Sequence, residues 1–337
     1  MMNPSTRLNA ALRWDGERLA ILDQTLLPHE ETWITLHTAA DTADAIGRLA
    51  VRGAPLIGIA AGYGLAMEIA AASVAGAEEG MRALRAARPT AVNLAWAVDR
   101  VWAAAQSGGA EAARAEAERI EVEEEAASAA IAERGADVLA GARRVLTHCN
   151  TGSLATGGQG SALAVIRELA ARGEIEVLAS ETRPLLQGAR LTVWELARDG
   201  IAVTLVVDGA AAGLMRRGEI DAVVVGCDRV AANGDVANKV GTYAHALAAR
   251  AAGIPFVVAG PTSSVDPSLT GGDAIAIEER DADEVRRPGG ELVTLPDVAV
   301  RNPAFDVTPA ELVSAFVCER GVAQPPTAAA IAALLAG

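Results

Sequence analysis

Aromatic side chains make up only 3% of the 337 residues, so stacked rings cannot organise the core. The interior must be built from Ala, Val, Leu and Ile, with glycine admitting close approach, a composition suited to helices packed on a sheet. Cysteine is scarce as well. Cys149, Cys227 and Cys318 are odd in number and form no CxxC pair, which excludes a disulfide framework and a cysteine zinc site and fits a reducing, cytoplasmic compartment. No basic run occurs, and 29 Lys and Arg against 43 Asp and Glu leave a formal charge of −14. That field repels polyanions and excludes a nucleic-acid partner, while one or two local arginines can still hold a small phosphorylated metabolite. The start, Met1-Met2-Asn3-Pro4-Ser5-Thr6-Arg7, lacks the apolar stretch of a secretory leader. The most membrane-like segment, 57–75, carries Gly58, Gly62, Gly64 and Glu68; it reads as a buried, glycine-notched helix, and no membrane partner is expected. There is no G-x-G-x-x-G either, because the Gly157-Gly158-Gln159-Gly160 cluster has Leu163 where the third glycine belongs, which disfavours a dinucleotide cofactor.

What is present points to two domains, since single cores stop growing at about 250–300 residues; the expected limits are 1–125 and 126–337. The first domain is mostly helical. A small sheet is expected over 14–26 and 31–37, then a helix over 42–51 ended by the loop Arg52-Gly53-Ala54-Pro55, and helices over 57–75, 80–87 and 93–107. From 110 to 139 the chain is rich in Ala, Glu and Arg, strong helix formers that predict a long solvated helix bridging the domains. Beyond Arg143 the rhythm changes. Short β-branched runs at 145–148, 176–180, 202–206, 222–226 and 255–259 alternate with helical stretches at 161–171, 191–199 and 236–252, the pattern of βαβ units. The fold class is therefore α/β: a mostly helical N-terminal domain with a small sheet, followed by a Rossmann-like parallel-sheet domain. No internal repeat is seen.

In open parallel sheets, ligands bind outside the carboxyl ends of the strands. Val145-Leu146-Thr147-His148-Cys149-Asn150-Thr151-Gly152-Ser153 turns from apolar to small and polar at Cys149, and Ala222-Val223-Val224-Val225-Gly226-Cys227-Asp228-Arg229 repeats the design at Asp228. A thiol and a carboxyl group delivered to two such ends can face one substrate. Read alone, Cys149 is a nucleophile, an acid or base, or an inert core thiol. His148 is its nearest candidate base, but successive strand residues point to opposite faces, which argues against a papain-type pair. Asp228 is either an ion-pair partner of Arg229 or a half-desolvated carboxyl raised into the useful acid/base range. Segment 231–239 reads as a turn entering a helix that carries Asn238 and Lys239. Its amides and lysine can hold a phosphate, or Asp235 simply caps the helix. Arg52 and Arg88, each in a loop beside Gly or Pro, are candidate phosphate contacts or structural ion-pair partners.

Together these segments resemble the methylthioribose-1-phosphate isomerase family. The resemblance is carried by Arg52-Gly53-Ala54-Pro55-Leu56-Ile57-Gly58, Arg88-Pro89-Thr90-Ala91-Val92-Asn93-Leu94, the Thr147–Thr156 segment, Glu181-Thr182-Arg183-Pro184-Leu185-Leu186-Gln187-Gly188, Asp228-Arg229 and the Asn233–Tyr243 segment. It runs from Asp23 to Ala304. It implies isomerisation of the aldose 5-methylthioribose 1-phosphate to the ketose 5-methylthioribulose 1-phosphate in methionine salvage, in a homodimer needing no metal or other cofactor. It also implies a fold similar to the regulatory subunits of eukaryotic initiation factor 2B. Residue by residue, it makes Cys149 and Asp228 the catalytic pair and Arg52, Gly53, Ala54, Arg88, Gln187, Asn238 and Lys239 the substrate contacts. The chain departs from the family pattern at Gly157-Gly158-Gln159-Gly160-Ser161, where many members carry an aromatic and a threonine, and at Cys227, where a small alanine is more usual. The first departure bears on the pocket wall.

The implied reaction explains these residue types. A phosphate on C1 locks the sugar as a ring, so an acid must protonate the ring oxygen as the C1–O bond breaks, a task for a carboxyl such as Asp228 kept neutral by apolar surroundings. The 1,2-shift then runs through an enediol with Cys149 as base, or as a hydride transfer; the sequence accommodates both. Two rivals share the framework: an isomerase for 5-deoxyribose 1-phosphate or ribose 1,5-bisphosphate, which would keep the same pair, and a non-catalytic regulatory subunit, which retention of both Cys149 and Asp228 argues against.

Overall fold

The computed structural model describes residues 11–88 and 92–336; Pro89-Thr90-Ala91 of the second motif falls outside them. Contacts divide the chain into two compact units, Met1–Ala129 with Thr151–Gly160, and Ala130–Asn150 with Ser161–Gly337.

In the first unit, β1 (Leu12–Trp14), β2 (Leu19–Leu22) and β3 (Trp33–Leu36) form an antiparallel meander. Helix α1 runs Ala39–Gly47, earlier than the sequence suggested, because Thr38 and Asp41 form a reciprocal capping box. Ala54 and Pro55, expected in a loop, open helix α2 (Ala54–Gly76). Gly53, at φ 95°, makes the entry and proline occupies the first turn, where its missing N–H costs nothing. Helix α3 (Glu78–Ala86) follows, and the helices expected over 93–107 and 110–139 are the two parts of α4 (Val92–Val138), broken between them at Gly109, whose φ of 69° is not helical.

Helix α2 is long and apolar enough to cross a membrane, but 67% of its most apolar window is buried inside the protein. Its glycines are the notches: a Cβ on Gly58 would stand 2.9 Å from the Asn93 carbonyl oxygen, and one on Gly64 2.6 Å from Thr42 Oγ1 in α1. One aromatic pair tightens this unit, Trp14 stacking on Tyr63 at 4.6 Å, while the Tyr63 hydroxyl donates to buried Glu121.

The second unit is a seven-stranded sheet. Its strands are β4 (Arg144–Thr147), β5 (Glu176–Ser180), β6 (Val203–Val206), β7 (Ala222–Val225), β10 (Phe256–Ala259), β13 (Ala315–Cys318) and β14 (Gly321–Ala323), in the order β14-β13-β10-β7-β4-β5-β6. All neighbours are parallel except β14 on β13. The parallel strands thus have the doubly wound order, reversing direction of progress between β4 and β7.

Alternation along the strands fills two cores. Val145, Val177, Val224, Val257 and Val317 face α5 (Ala162–Arg172), α6 (Val193–Arg198) and the end of α4. Leu146, Leu178, Val223, Val225, Phe256, Val258 and Phe316 face α7 (Ala211–Arg216), α8 (Thr242–Ala252) and the C-terminal helix Ala328–Ala336.

The helix expected over 236–252 is a correction. Val236–Lys239 is strand β9, and only Thr242–Ala252 is helical. β9 lies in a second sheet, ordered β11-β8-β9-β12, with β8 Arg229–Ala231, β11 Val265–Asp266 and β12 Phe305–Thr308. Antiparallel pairing with β8, Val236 opposite Val230, and with β12, Asn238 opposite Asp306 and Lys239 opposite Phe305, overrides a locally helix-compatible stretch, and Gly241 at φ 105° marks the true helix start. Asp235 accordingly does not cap the helix that follows; its carboxylate accepts the Gly272 and Ala310 N–H groups at 2.9 Å, each opening a short 3-10 turn.

Two neighbouring glycines of α2 separate packing from helix propensity. Gly64→Ala forces a methyl into Thr42 and should destabilise by about 1–3 kcal/mol. At Gly62 the nearest atom to a new Cβ is 3.5 Å away, so Gly62→Ala should be neutral or gain up to about 1 kcal/mol. Urea denaturation of both variants checks this; equal effects would contradict the notch.

Candidate active site

Cys149 is the second residue beyond the end of β4, buried to 6% exposure, and it takes φ 63°, a left-handed conformation costly for a residue with a Cβ. Both of its peptide groups are held. Its N–H donates to Thr182 Oγ1 at 2.8 Å, and its carbonyl accepts from Thr192 Oγ1 at 2.6 Å. Both threonines are fully buried. Next to it, Asn150 donates to Glu195 Oε1 at 2.8 Å, and that carboxylate is paired with Arg167 at 2.9 Å.

Asp228 is half-buried just beyond β7, its N–H donating to the Ala237 carbonyl at 3.0 Å. Because Leu146 of β4 is registered against Val223 of β7, Cys149 and Asp228 emerge from the carboxyl ends of hydrogen-bonded parallel neighbours, at the point where the strand order reverses. Beside Asp228, Cys227 fills the space that Gly260 leaves: a Cβ on Gly260 would lie 2.3 Å from the Cys227 sulfur.

Gln187 also belongs to this unit. It is buried, and its Oε1 has no hydrogen-bond partner among the described residues, an open acceptor of the kind a ligand donor satisfies. Gly188 beside it is obligatory, since a Cβ would fall 1.7 Å from the Ser180 carbonyl oxygen. On β9, Asn238 donates to Thr242 Oγ1 at 2.9 Å, and Lys239 Nζ donates to the Ala304 carbonyl at 2.8 Å and lies 4.6 Å from the Phe305 ring centre. Across the ladder, Asp306 accepts the Gly241 and Tyr243 N–H groups, and burial pushes its carboxyl up.

Arg52, Gly53, Ala54 and Arg88 lie in the first unit. Arg52 Nε donates to Gln24 Oε1 at 3.2 Å, while Gln24 donates to the Leu154 carbonyl at 2.7 Å. Gly53 packs flush on Ala155, whose backbone would lie 2.5 Å from an added Cβ. Gly53 and Ala54 begin α2, where Pro55 carries no N–H and the Leu56 N–H donates to the Ala155 carbonyl at 3.1 Å, so the anion-holding capacity of this helix start is small. Arg88 is half-buried beyond the end of α3. The glycines that depart from the family pattern are close-packed: a Cβ on Gly157 would meet Ile59 Cδ1 at 2.5 Å and one on Gly158 would meet Ser128 Cβ at 2.7 Å.

His148 has both ring nitrogens engaged within the scaffold. Its Nδ1 lies 2.6 Å from Ser180 Oγ and 3.3 Å from His245 Nε2, and its Nε2 lies 2.9 Å from the Val240 carbonyl. The carbonyl fixes the proton on Nε2, leaving Nδ1 as acceptor. Burial, and next the neighbouring His245, push the His148 imidazole down to about 3; burial lowers His245 as well. His148, His245 and Asp208 bring metal-ligating atoms within 4.8 Å of one another, but these atoms already serve internal bonds: Asp208 accepts the Thr182 and Arg183 N–H groups at 2.8 Å each.

Thr182 and Thr192 escaped the sequence reading. Thr182 stood inside a recognised motif without a role, and Thr192 carried no local signal, because its contact with Cys149 spans 43 positions.

The model of the Initiation factor 2 subunit family matches residues 50–325. A methylthioribose-1-phosphate isomerase of Alcanivorax borkumensis is 50% identical, with 97% of each chain covered; one from Anaeromyxobacter sp. strain K is 55% identical, with 93% of each covered. The chain belongs to the methylthioribose-1-phosphate isomerase family. Among solved structures, 5-methylthioribose 1-phosphate isomerase of Pyrococcus horikoshii superposes with a TM-score of 0.92 at 40% identity, covering 98% of this chain and 97% of that one. A translation initiation factor eIF-2B delta subunit from A. fulgidus gives 0.84 at 38% identity, covering 97% and 99%. The expected α/β class, with its helical N-terminal part and Rossmann-like sheet, is the fold these relatives share.

The buried imidazoles have a pH consequence. With both values pushed below the ordinary 6.5, the unfolded chain binds more protons than the folded one below that pH, so stability falls as pH drops from 6.5 toward 3. Thermal unfolding between pH 7 and 5 should therefore show a falling Tm, and His245→Leu should flatten the slope. Parallel slopes in the two proteins would contradict the assignment.

Proposed function

We propose that this chain isomerises 5-methylthioribose 1-phosphate to 5-methylthioribulose 1-phosphate, an aldose–ketose isomerisation in methionine salvage, with Cys149 and Asp228 as its catalytic pair. The observation that carries the pair is their delivery to the switch point of the sheet, at the ends of registered strands β4 and β7. Asp228 gives a proton to the ring oxygen as the C1–O bond breaks. One hydrogen then moves from C2 to C1, the C2 hydroxyl loses its proton, and C2 becomes the ketone. Cys149 acts as base. Gln187, with its open buried acceptor, Asn238 and Lys239 contact the sugar phosphate, as do Arg52, Gly53, Ala54 and Arg88. No cofactor or metal enters.

The protein acts as a homodimer in the cytoplasm. Supporting the dimer, β6 is an edge strand, and Leu205 within it and Val207 just beyond it are 50% and 59% exposed, an unpaired apolar edge suited to a second copy. Light scattering at micromolar concentration should give twice the chain mass. Supporting the compartment, the three cysteines are free. The charge of −14 speaks against nucleic acid as partner.

Incubating purified protein with 5-methylthioribose 1-phosphate, without additions, should yield the ketose by NMR. Cys149→Ala and Asp228→Asn should each lower kcat by at least about 10²-fold, whereas Cys227→Ala should leave it largely intact. Near-wild-type turnover in either of the first two removes that residue from the mechanism.

Replacing Arg52, Arg88 or Lys239 by Ala should mainly raise KM, by about 30-fold for a lost charge-assisted bond of ~2 kcal/mol. Unchanged KM in all three contradicts the phosphate assignment. For the sugar's far end, 5-deoxyribose 1-phosphate should be turned over at about 10- to 200-fold lower kcat/KM, and ribose 1,5-bisphosphate should be poor. A preference for the bisphosphate would move the protein out of methionine salvage while leaving its catalytic pair in place.

A further inference from the structure

Two adjacent strand ends carry non-glycine residues in the left-handed region, Cys149 at φ 63° after β4 and Thr182 at φ 65° after β5. Strained backbone persists only where its surroundings over-determine it, and here the two strained residues hold each other. The Cys149 N–H donates to Thr182 Oγ1 at 2.8 Å. The Thr182 hydroxyl in turn donates to the Ser180 carbonyl at 3.1 Å. Thr182 is then fixed from below, because Asp208 accepts the Thr182 N–H on one carboxylate oxygen and the Arg183 N–H on the other, each at 2.8 Å. On the far side, Thr192 Oγ1 closes on the Cys149 carbonyl at 2.6 Å. Thr182 and Thr192 are wholly buried and Cys149 nearly so, so no water replaces a lost partner cheaply.

We propose that Thr182 is a positioning residue for the Cys149 thiol, its hydroxyl holding the Cys149 peptide in the left-handed conformation that aims the sulfur at the switch point, with Asp208 as the group that fixes Thr182. The proposal rests on Cys149 being the catalytic thiol. The direction of the Cα–Cβ bond follows from φ, so a Cys149 N–H that loses its acceptor relaxes toward the extended conformation and swings the sulfur with it. Thr182 itself touches no reacting atom. Its effect therefore belongs in kcat and in the thiol's own reactivity, with substrate affinity left alone.

The test uses Thr182→Val, which keeps the shape and deletes the hydroxyl, beside Thr182→Ser, which keeps the hydroxyl. Four quantities are read on the full-length protein: kcat and KM with 5-methylthioribose 1-phosphate, Tm, and the rate of iodoacetamide alkylation at the Cys149 peptide by mass spectrometry. Thr182→Val should lower kcat by at least about tenfold with KM within about twofold. Its alkylation at Cys149 should rise by at least about fivefold, because a loosened turn exposes the thiol. Thr182→Ser should recover at least half of the wild-type kcat and a wild-type alkylation rate. A Thr182→Val protein that loses Tm but keeps kcat and Cys149 alkylation unchanged would reduce Thr182 to a stability residue and overturn the proposal. So would a loss carried by KM alone. If Thr182→Val does not fold, Asp208→Asn, which can accept only one of the two N–H groups, takes its place with smaller changes in the same directions, and unchanged kcat and alkylation there overturn the proposal equally. Should Cys149→Ala turn over substrate normally, the catalytic reading fails by itself, and the alkylation rates still decide whether Thr182 positions the thiol.

Discussion

Strands β4 and β7 are hydrogen-bonded parallel neighbours, yet the helices that follow them cover opposite faces of the sheet: α5 packs on one core and α8 on the other. Chains leaving adjacent strand ends in opposite directions open a crevice that neither helix fills. Everything proposed for the catalytic centre of the second unit depends on that divergence. It sets Cys149 and Asp228 at the ends of neighbouring strands although 79 sequence positions separate their numbers.

The crevice needs a rigid floor, and the floor is polar. A strained cysteine can stand at a strand end only if its N–H and carbonyl are both satisfied, and two buried threonine hydroxyls do this. Beneath them, His148 is kept neutral by burial and bonded through both nitrogens, to Ser180 and to the Val240 carbonyl. A buried network of this kind is stabilising only when every member is partnered. The histidine next to Cys149 in sequence thus serves the scaffold, which is why its protonation acts on folding.

Much of this was legible from the chain. The apolar runs at 145–148 and 222–226 ended where the strands end, because a strand buried on both faces reads as a continuous β-branched run. The glycine-notched helix followed from Gly58 and Gly64, which answer contacts with Asn93 and Thr42. Asn238 and Lys239 were misplaced on a helix: β9 forms a local hairpin with β8 around Asn233-Gly234, a turn that reads equally as a helix start, and its other partner, β12, lies some seventy residues away, outside any local window. Thr192, Asp208 and His245 were invisible for the same reason. Their roles lie in bonds spanning 26 to 97 positions, and a threonine, an aspartate or a histidine carries no mark of such a partner. The family motifs identified the residues expected to touch substrate; the residues that hold them in place had to be read from the fold.

The most direct test of this account is a crystal structure of Cys149→Ala with 5-methylthioribose 1-phosphate bound. The account predicts the sugar over the carboxyl ends of β4 and β7, its C1 and C2 facing the vacated sulfur position, its ring oxygen within hydrogen-bond reach of the Asp228 carboxyl, and a sugar hydroxyl meeting the open Oε1 of Gln187. A sugar bound elsewhere, or turned so that its ring oxygen points away from Asp228, would contradict it.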